Sequence, residues 1–256
     1  MPQVSPNLTG QVHVAPTDDA LFDDLAGALM SGAVRSVEER GEFHMALSGG
    51  STPEPFYMRL VTDVRFRPIP WQSLHIWVVD ERCVPPDHEK SNFRMIRETL
   101  LDHVPTPHRQ IHPMPVEEPD GDRRYEDELR DGLGENGRLD FVLLGVGDDG
   151  HTASLFPKSP AVQVADRWVV FNEGPTVVPP RRMTMTYPLL DKAWELAILV
   201  TGCNKSQVIS KVDLQVRSGG PDPQQLPVTG LNPSDGHVTW YIDGPAAGRP
   251  AIKSNI

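Results

Sequence analysis

Apolar side chains recur at helix-like intervals through residues 20–37, at Leu21, Leu25, Leu29 and Val34, and predict an amphipathic helix. The run Phe43-His44-Met45-Ala46-Leu47 follows as a short buried strand. It stops at Ser48-Gly49-Gly50-Ser51-Thr52-Pro53, where Pro53 suits the first turn of a helix continued by Phe56, Tyr57 and Leu60. A second strand is predicted over 74–79, closing on Asp80-Glu81-Arg82. Ser91 then caps a helix running through Met95, Ile96 and Leu100. The strongest strand signal is 139–146, an almost unbroken apolar run that passes directly into Gly147-Asp148-Asp149-Gly150-His151. Weaker patterns predict a short strand within 111–114 and a helix over 125–133. They also predict strands over 168–171, 182–186, 196–201 and 238–242, a helix over 205–212, and a loop over 221–227.

Strands alternating with helices predict an α/β fold, with a mostly parallel sheet and helices on both faces. There is no internal repeat, long linker or low-complexity segment, so residues 1–256 read as one domain. In such sheets ligands collect beyond the carboxyl ends of the strands. The polar segments beginning at Ser48, Asp80 and Gly147 each follow a strand signal, and chemistry is expected there.

Hydrophobic residues make up 38% and charged residues 23%, proportions that fit a folded enzyme and not a disordered chain. A formal net charge of -11 disfavours nonspecific nucleic-acid binding. No apolar stretch approaches the roughly 20 residues of a bilayer span, and residues 1–14 lack the basic start and apolar run of a signal peptide. Cys83 and Cys203 are the two cysteines, and no Cys/His cluster has zinc-ligand spacing. The expectation is a cytoplasmic protein, monomer or homodimer, with no nucleic-acid or membrane partner, no metal and no organic cofactor. His103, His108 and His112 are expected on loops. The acidity also sets a condition: if this chain binds an anion, its few cations must converge.

Four groups of residues meet that condition or supply chemistry. In Ser48-Gly49-Gly50-Ser51-Thr52, glycines permit close backbone approach, hydroxyls donate, and the following helix start offers free amides to a phosphate. The pattern is neither a P-loop nor a dinucleotide motif, and a plain strand-to-helix turn remains the alternative. Arg82, with Asp80 beside it, is placed either to bind an oxyanion or to form a surface ion pair. His151, just past a glycine turn, is placed to face a pocket and exchange a proton with water, with a nearby carboxylate to fix its tautomer. Arg181, Arg182 and Lys205 are the remaining cations. Lys205 at a helix start is unfavourable unless an anion compensates it.

Together these stretches resemble the glucosamine-6-phosphate isomerase/6-phosphogluconolactonase family. The resemblance rests on residues 46–53, on Asp80-Glu81-Arg82-Cys83-Val84-Pro85 with Ser91-Asn92, and above all on the ordered string from Asp140 to Pro157. Residues 182–186 and Trp240-Tyr241-Ile242-Asp243 also fit, so the likeness runs from about 20 to 247. It implies a Rossmann-like sheet and hydrolysis of 6-phospho-D-glucono-1,5-lactone, a step of the oxidative pentose phosphate pathway. By position it implies that His151 is the general base and that Asp80 and Arg82 belong to the active site. It implies that Ser48, Gly49, Gly50, Ser51, Thr52, Arg182 and Lys205 bind the phosphate, with Arg181 a competitor for the place of Arg182.

Two rivals follow. Glucosamine-6-phosphate deaminases share the fold, but have a tyrosine where this chain has Arg82 and a glutamate shortly after their histidine. Here that stretch reads Ala153-Ser154-Leu155-Phe156, without a carboxylate. A noncatalytic phosphosugar-binding protein is the other rival, since fold alone does not exclude it. A covalent serine mechanism is disfavoured because the chain has no Gly-x-Ser-x-Gly elbow.

Overall fold

A computed structural model describes residues 5–134 and 137–250. The extreme ends of the predicted domain, and the first four residues read for a leader, lie outside these. Ten strands and six α-helices are described: β1 Gln11–Ala15, α1 Asp18–Arg40, β2 Phe43–Leu47, α2 Pro53–Thr62, β3 Leu74–Val78, β4 Asp80–Arg82, α3 Asn92–Thr99, β5 Ile111–His112, α4 Gly121–Leu133, β6 Phe141–Leu144, β7 Val169–Glu173, β8 Arg181–Met185, α5 Tyr187–Leu190, β9 Glu195–Val200, α6 Ser206–Ser218 and β10 His237–Asp243.

Seven strands form one sheet in the order β1-β10-β9-β6-β2-β3-β5, and every neighbouring pair is parallel. Every residue of β2 and of β6 is buried. Successive side chains of a strand point to opposite faces, so burial at every position means that both faces are covered. α1 is stopped at both ends by local chemistry: Thr17 Oγ1 accepts from Ala20 N at 3.2 Å, and Gly41 takes a left-handed φ of 87° at its end. Ser91 caps α3 as expected, accepting from Arg94 N at 3.0 Å. No helix among the described residues is long and apolar enough to cross a membrane.

Three segments expected to extend the parallel sheet, or to end it, do something else. Asp80–Arg82, 168–171 and 182–186 build a separate three-stranded antiparallel sheet, β4-β8-β7. His112 is not on a loop: it lies on β5, 8% exposed, its ring 3.7 Å from that of Trp77 and Nδ1 2.6 Å from Glu128. The aromatic surface of Trp77 and the carboxylate of Glu128 explain how a polar ring is accommodated there.

The chain runs from β2 outward to β3 and β5, then returns to β6 on the other side of β2 before continuing to β9 and β10. The loops leaving β2 and β6 therefore diverge, and a crevice opens at the carboxyl ends of these strands. The segments starting at Ser48, Asp80 and Gly145 all leave the sheet at that end.

Candidate active site

The loop after β2 needs its two glycines for different reasons. Gly50 adopts φ +111°, in the left-handed region, whereas a Cβ on Gly49 would fall 2.0 Å from Asn92 Oδ1. The phenol of Tyr57, buried in α2, donates to Ser48 O at 2.6 Å and fixes the loop's first carbonyl. Thr52 stands at the N-cap of α2 with no capping bond from its side chain, followed by Pro53. The free amides of this helix start thus stand beside the loop hydroxyls.

After β3, alternation along β4 separates the roles of three polar residues. Glu81 turns away and accepts from Arg82 N, Asn92 N and Phe93 N, each at 2.7 Å, and from Ser91 Oγ at 3.0 Å. Asp80 and Arg82 line the crevice. Ser154 Oγ donates to Asp80 Oδ2 at 2.6 Å, and Arg82 Nη1 donates to Lys90 O at 2.8 Å, while the buried Arg82 Nε has no protein partner. Directly across the antiparallel ladder from Arg82 stands Arg182. Burial chiefly, and the neighbouring guanidinium of Arg82, lower the pKa of Arg182, with Asp80 opposing them. Like charges at opposed strand positions repel, so this pair is suited to an anion placed between them.

The turn after β6 brings its histidine back over a glycine. Gly147 N donates to His151 O at 2.8 Å, Gly150 has φ +83°, and a Cβ on Gly147 would lie 2.1 Å from His151 Nδ1. Asp149 Oδ1 accepts from His151 N at 3.1 Å and lies 2.5 Å from Nδ1. Burial alone would raise the Asp149 carboxyl, but its bonds to His151 and the charge of that ring hold it below its ordinary pKa. An ionised Asp149 keeps the proton on Nδ1 and leaves Nε2 with a lone pair. Phe156 packs against the same ring at 4.9 Å.

Lys205 stands just before α6, and its ammonium donates to Asp148 Oδ1 at 2.6 Å. That carboxylate offsets a cation otherwise unfavourable at a helix start.

These parts line a single cavity of about 480 Å³. It takes in Ser48, Gly49, Gly50, Ser51, Thr52, Asp80, Arg82, His151, Arg182 and Lys205, so every candidate residue named from the sequence except Arg181 opens onto one space. Between the adjacent arginines the structure distinguishes clearly. Arg182 is 5% exposed and lines the cavity, whereas Arg181 is exposed and stacks on Phe171 at 4.7 Å. Sequence reasoning gave no site role to Asn92, Asp148 or the apolar rim of Val177 and Val178, all of which line it. It left open which carboxylate serves His151; the turn geometry picks Asp149.

A second cavity of about 440 Å³ opens at the opposite end of the sheet, beside α1. Of its carboxylates, the half-buried Asp140 is engaged with Arg40 and with His44 N. Glu195, although it stands opposite His237 in the sheet, leaves its buried Oε1 without a hydrogen bond, so no hydrogen-bonded histidine–carboxylate pair like that of Asp149 and His151 faces this cavity among the described residues. Glu42, His44 and His75 also gather at that end, with donor atoms within 4.8 Å of one another. Trp77 Nε1 donates to His44 Nδ1 at 3.2 Å, which puts the neutral ring's proton on Nε2, toward Glu42. The rings of His44 and His75 stack at 4.4 Å, so their lone pairs do not converge as metal ligands require.

Comparison with known proteins agrees with this architecture. Residues 16–240 match the family described as glucosamine-6-phosphate isomerases/6-phosphogluconolactonase. A human GDH/6PGL endoplasmic bifunctional protein is 40% identical over 238 residues; these are 90% of this chain and only 29% of that protein's length. The 6-phosphogluconolactonase of Synechocystis is 37% identical over 240 residues, covering 91% of this chain and 95% of its own. The crystal structure of 6-phosphogluconolactonase from Thermotoga maritima superposes with a TM-score of 0.76 at 26% identity, covering 91% of this chain and 99% of that one.

Proposed function

We propose that this chain, which belongs to the glucosamine-6-phosphate isomerase/6-phosphogluconolactonase family, hydrolyses 6-phospho-D-glucono-1,5-lactone to 6-phospho-D-gluconate. The observation that carries the reading is the joining, in one cavity, of an imidazole held by a carboxylate and a separate cradle of amides, hydroxyls and cations. The near full-length similarity to the Synechocystis lactonase supports the same reading.

In this mechanism the phosphate on carbon 6 sits in the loop of residues 48–52 against the start of α2, with Arg182 and Lys205 closing on it. The lactone ring then reaches toward His151. Nε2 removes a proton from water as the water oxygen bonds to carbon 1, and the carbonyl oxygen takes up negative charge. Arg82 or backbone amides stabilise that charge, an effect of about 3 kcal/mol per donor in well-studied enzymes. When the tetrahedral centre collapses, the bond from carbon 1 to the ring oxygen breaks, and the imidazolium returns its proton to that oxygen. Asp149 keeps the ring in the productive tautomer throughout and stabilises its charged form. Asp80, fixed by Ser154, sets a carboxylate charge near Arg182 on the guanidinium side of the cavity.

Two features favour this over the alternatives. Aminosugar ring opening calls for a carboxylate close behind the histidine, and here Phe156 packs against the ring while Ser154 is committed to Asp80. A simple binding protein has no need of an imidazole tautomer fixed by a carboxylate at 2.5 Å. The test is to follow consumption of fresh phospholactone against its spontaneous hydrolysis, in parallel with ammonia release from glucosamine 6-phosphate. Accelerated lactone loss with no ammonia is the expected result. Ammonia release, or lactone loss at the spontaneous rate, overturns the reading.

A further inference from the structure

Asn92 begins α3 and is only 2% exposed, yet its side chain is committed to the loop and the strand that flank the crevice. Nδ2 donates to Asp80 O at 2.7 Å. Oδ1 has no hydrogen-bond partner and lies against Gly49, so close that a Cβ on that glycine would fall 2.0 Å away. The planar amide is therefore a wedge with the loop after β2 on one side and the backbone of β4 on the other. A second residue holds the wedge. Glu81 accepts from Asn92 N and from Phe93 N, and so ties the first turn of α3 to the strand that carries Asp80 and Arg82.

This contact is steric on one side and hydrogen-bonded on the other, and the two parts have different consequences. The bond to Asp80 O fixes where the amide stands relative to β4. The contact with Gly49 then fixes how near the loop of residues 48–52 approaches that strand. Residues 48–52 end in the start of α2, so their position also sets where the free amides of that helix point. A side chain this buried, with one polar atom unsatisfied, is costly for stability by itself; its shape is what the loop and the strand use.

We propose that Asn92 is a positioning residue for phosphate recognition, setting the spacing between the glycine loop and the Asp80–Arg82 segment through Gly49. This rests on the proposed function, in which that loop receives the phosphate. Asn92 acts through the loop and not on the reacting carbon, so its removal changes binding of the phosphate ester and leaves the chemical step intact.

The test uses Asn92→Ala, Gly49→Ala and the double variant, with melting temperature, kcat and KM for the phospholactone, and Kd for 6-phosphogluconate. Asn92→Ala is expected to raise KM and product Kd about tenfold, with kcat within about threefold of the parent. Gly49→Ala is expected to raise KM as well, because its methyl collides with the amide. In the double variant the truncated side chain leaves room for that methyl, so KM should fall below that of Gly49→Ala alone. A loss confined to kcat, an unchanged KM and Kd in Asn92→Ala, or strictly additive penalties in the double variant would each overturn the proposal. If Asn92→Ala melts too low to assay, Gly49→Ala and the double variant read the same contact from the other side. If the parent fails to hydrolyse the lactone, the functional reading falls, and the Kd series still decides whether Asn92 sets phosphate-ester binding.

Discussion

Arg82 and Arg182 stand directly opposite each other across the antiparallel ladder of β4 and β8, and both line the same cavity. Two guanidiniums in that relationship repel, and in a chain with a formal net charge of -11 the arrangement concentrates scarce positive charge at one point. It meets the condition that acidity imposes on an anion-binding protein.

Replacing Arg182 with Met keeps most of its volume and removes one of the opposed charges. KM for the phospholactone should rise about 10- to 100-fold, the worth of one or two charge-assisted hydrogen bonds. Steady-state kinetics checks this, and an unchanged KM would remove Arg182 from the phosphate cradle.

Asp149→Asn leaves the shape of the turn but no longer compels Nδ1 to carry the proton. Loss of the same orienting carboxylate from an imidazole in other hydrolases costs about 10⁴ in turnover. Here kcat is expected to fall at least about 100-fold with KM nearly unchanged. A fall in kcat/KM arising wholly from KM would place Asp149 in binding instead.

Lys205 is held by Asp148, whose side chain is largely exposed. In the proposed mechanism a phosphate must compete with that carboxylate for the ammonium. Asp148→Asn should therefore lower KM, by no more than about fivefold, because exposed pairs are worth about 0–1 kcal/mol. The effect should shrink as salt is added. A raised KM would show that Asp148 helps to place the lysine.

Asp191, at the end of α5, has its pKa raised to about 6 by burial, with the bond from Asn232 N opposing the shift. The folded protein thus prefers the protonated acid more than the unfolded chain does. This group's penalty is absent at pH below the ordinary carboxylate range, grows as pH rises toward 6, and is fully present above it. Asp191→Asn removes the penalty and keeps an oxygen for Asn232 N. Its melting temperature should exceed the parent's at about pH 8 and match it at about pH 4, as thermal unfolding across that range would show.

How much of this was legible in the sequence follows from which interactions are local. β6, and β2 apart from His44, announce themselves because strands covered on both faces are apolar along their length, and each runs straight into a loop that lines the cavity. The turn at Gly147 to His151 is likewise closed by residues within four positions of one another. β4 was not readable as a strand, since Asp80-Glu81-Arg82 carries no apolar pattern and its partner β8 lies about a hundred residues away. β1 was missed for a similar reason: five residues at the edge of a sheet, paired with β10 near the other end of the chain. Asn92 looked like the first residue of a capped helix, which it is; only the fold shows it wedged against Gly49. The choice between Arg181 and Arg182 was a matter of strand parity, undefined until the register of β8 was known.

The central claim is that His151 supplies the proton transfer while a separate group of residues holds the phosphate. His151→Ala measures it most directly, with kcat determined against the spontaneous rate and Kd for 6-phosphogluconate determined on the same preparation. In His151→Ala, kcat is expected to fall at least about 100-fold, with product affinity within about threefold of the parent. Turnover near that of the parent, or a collapse of product binding alongside it, would contradict the division of labour.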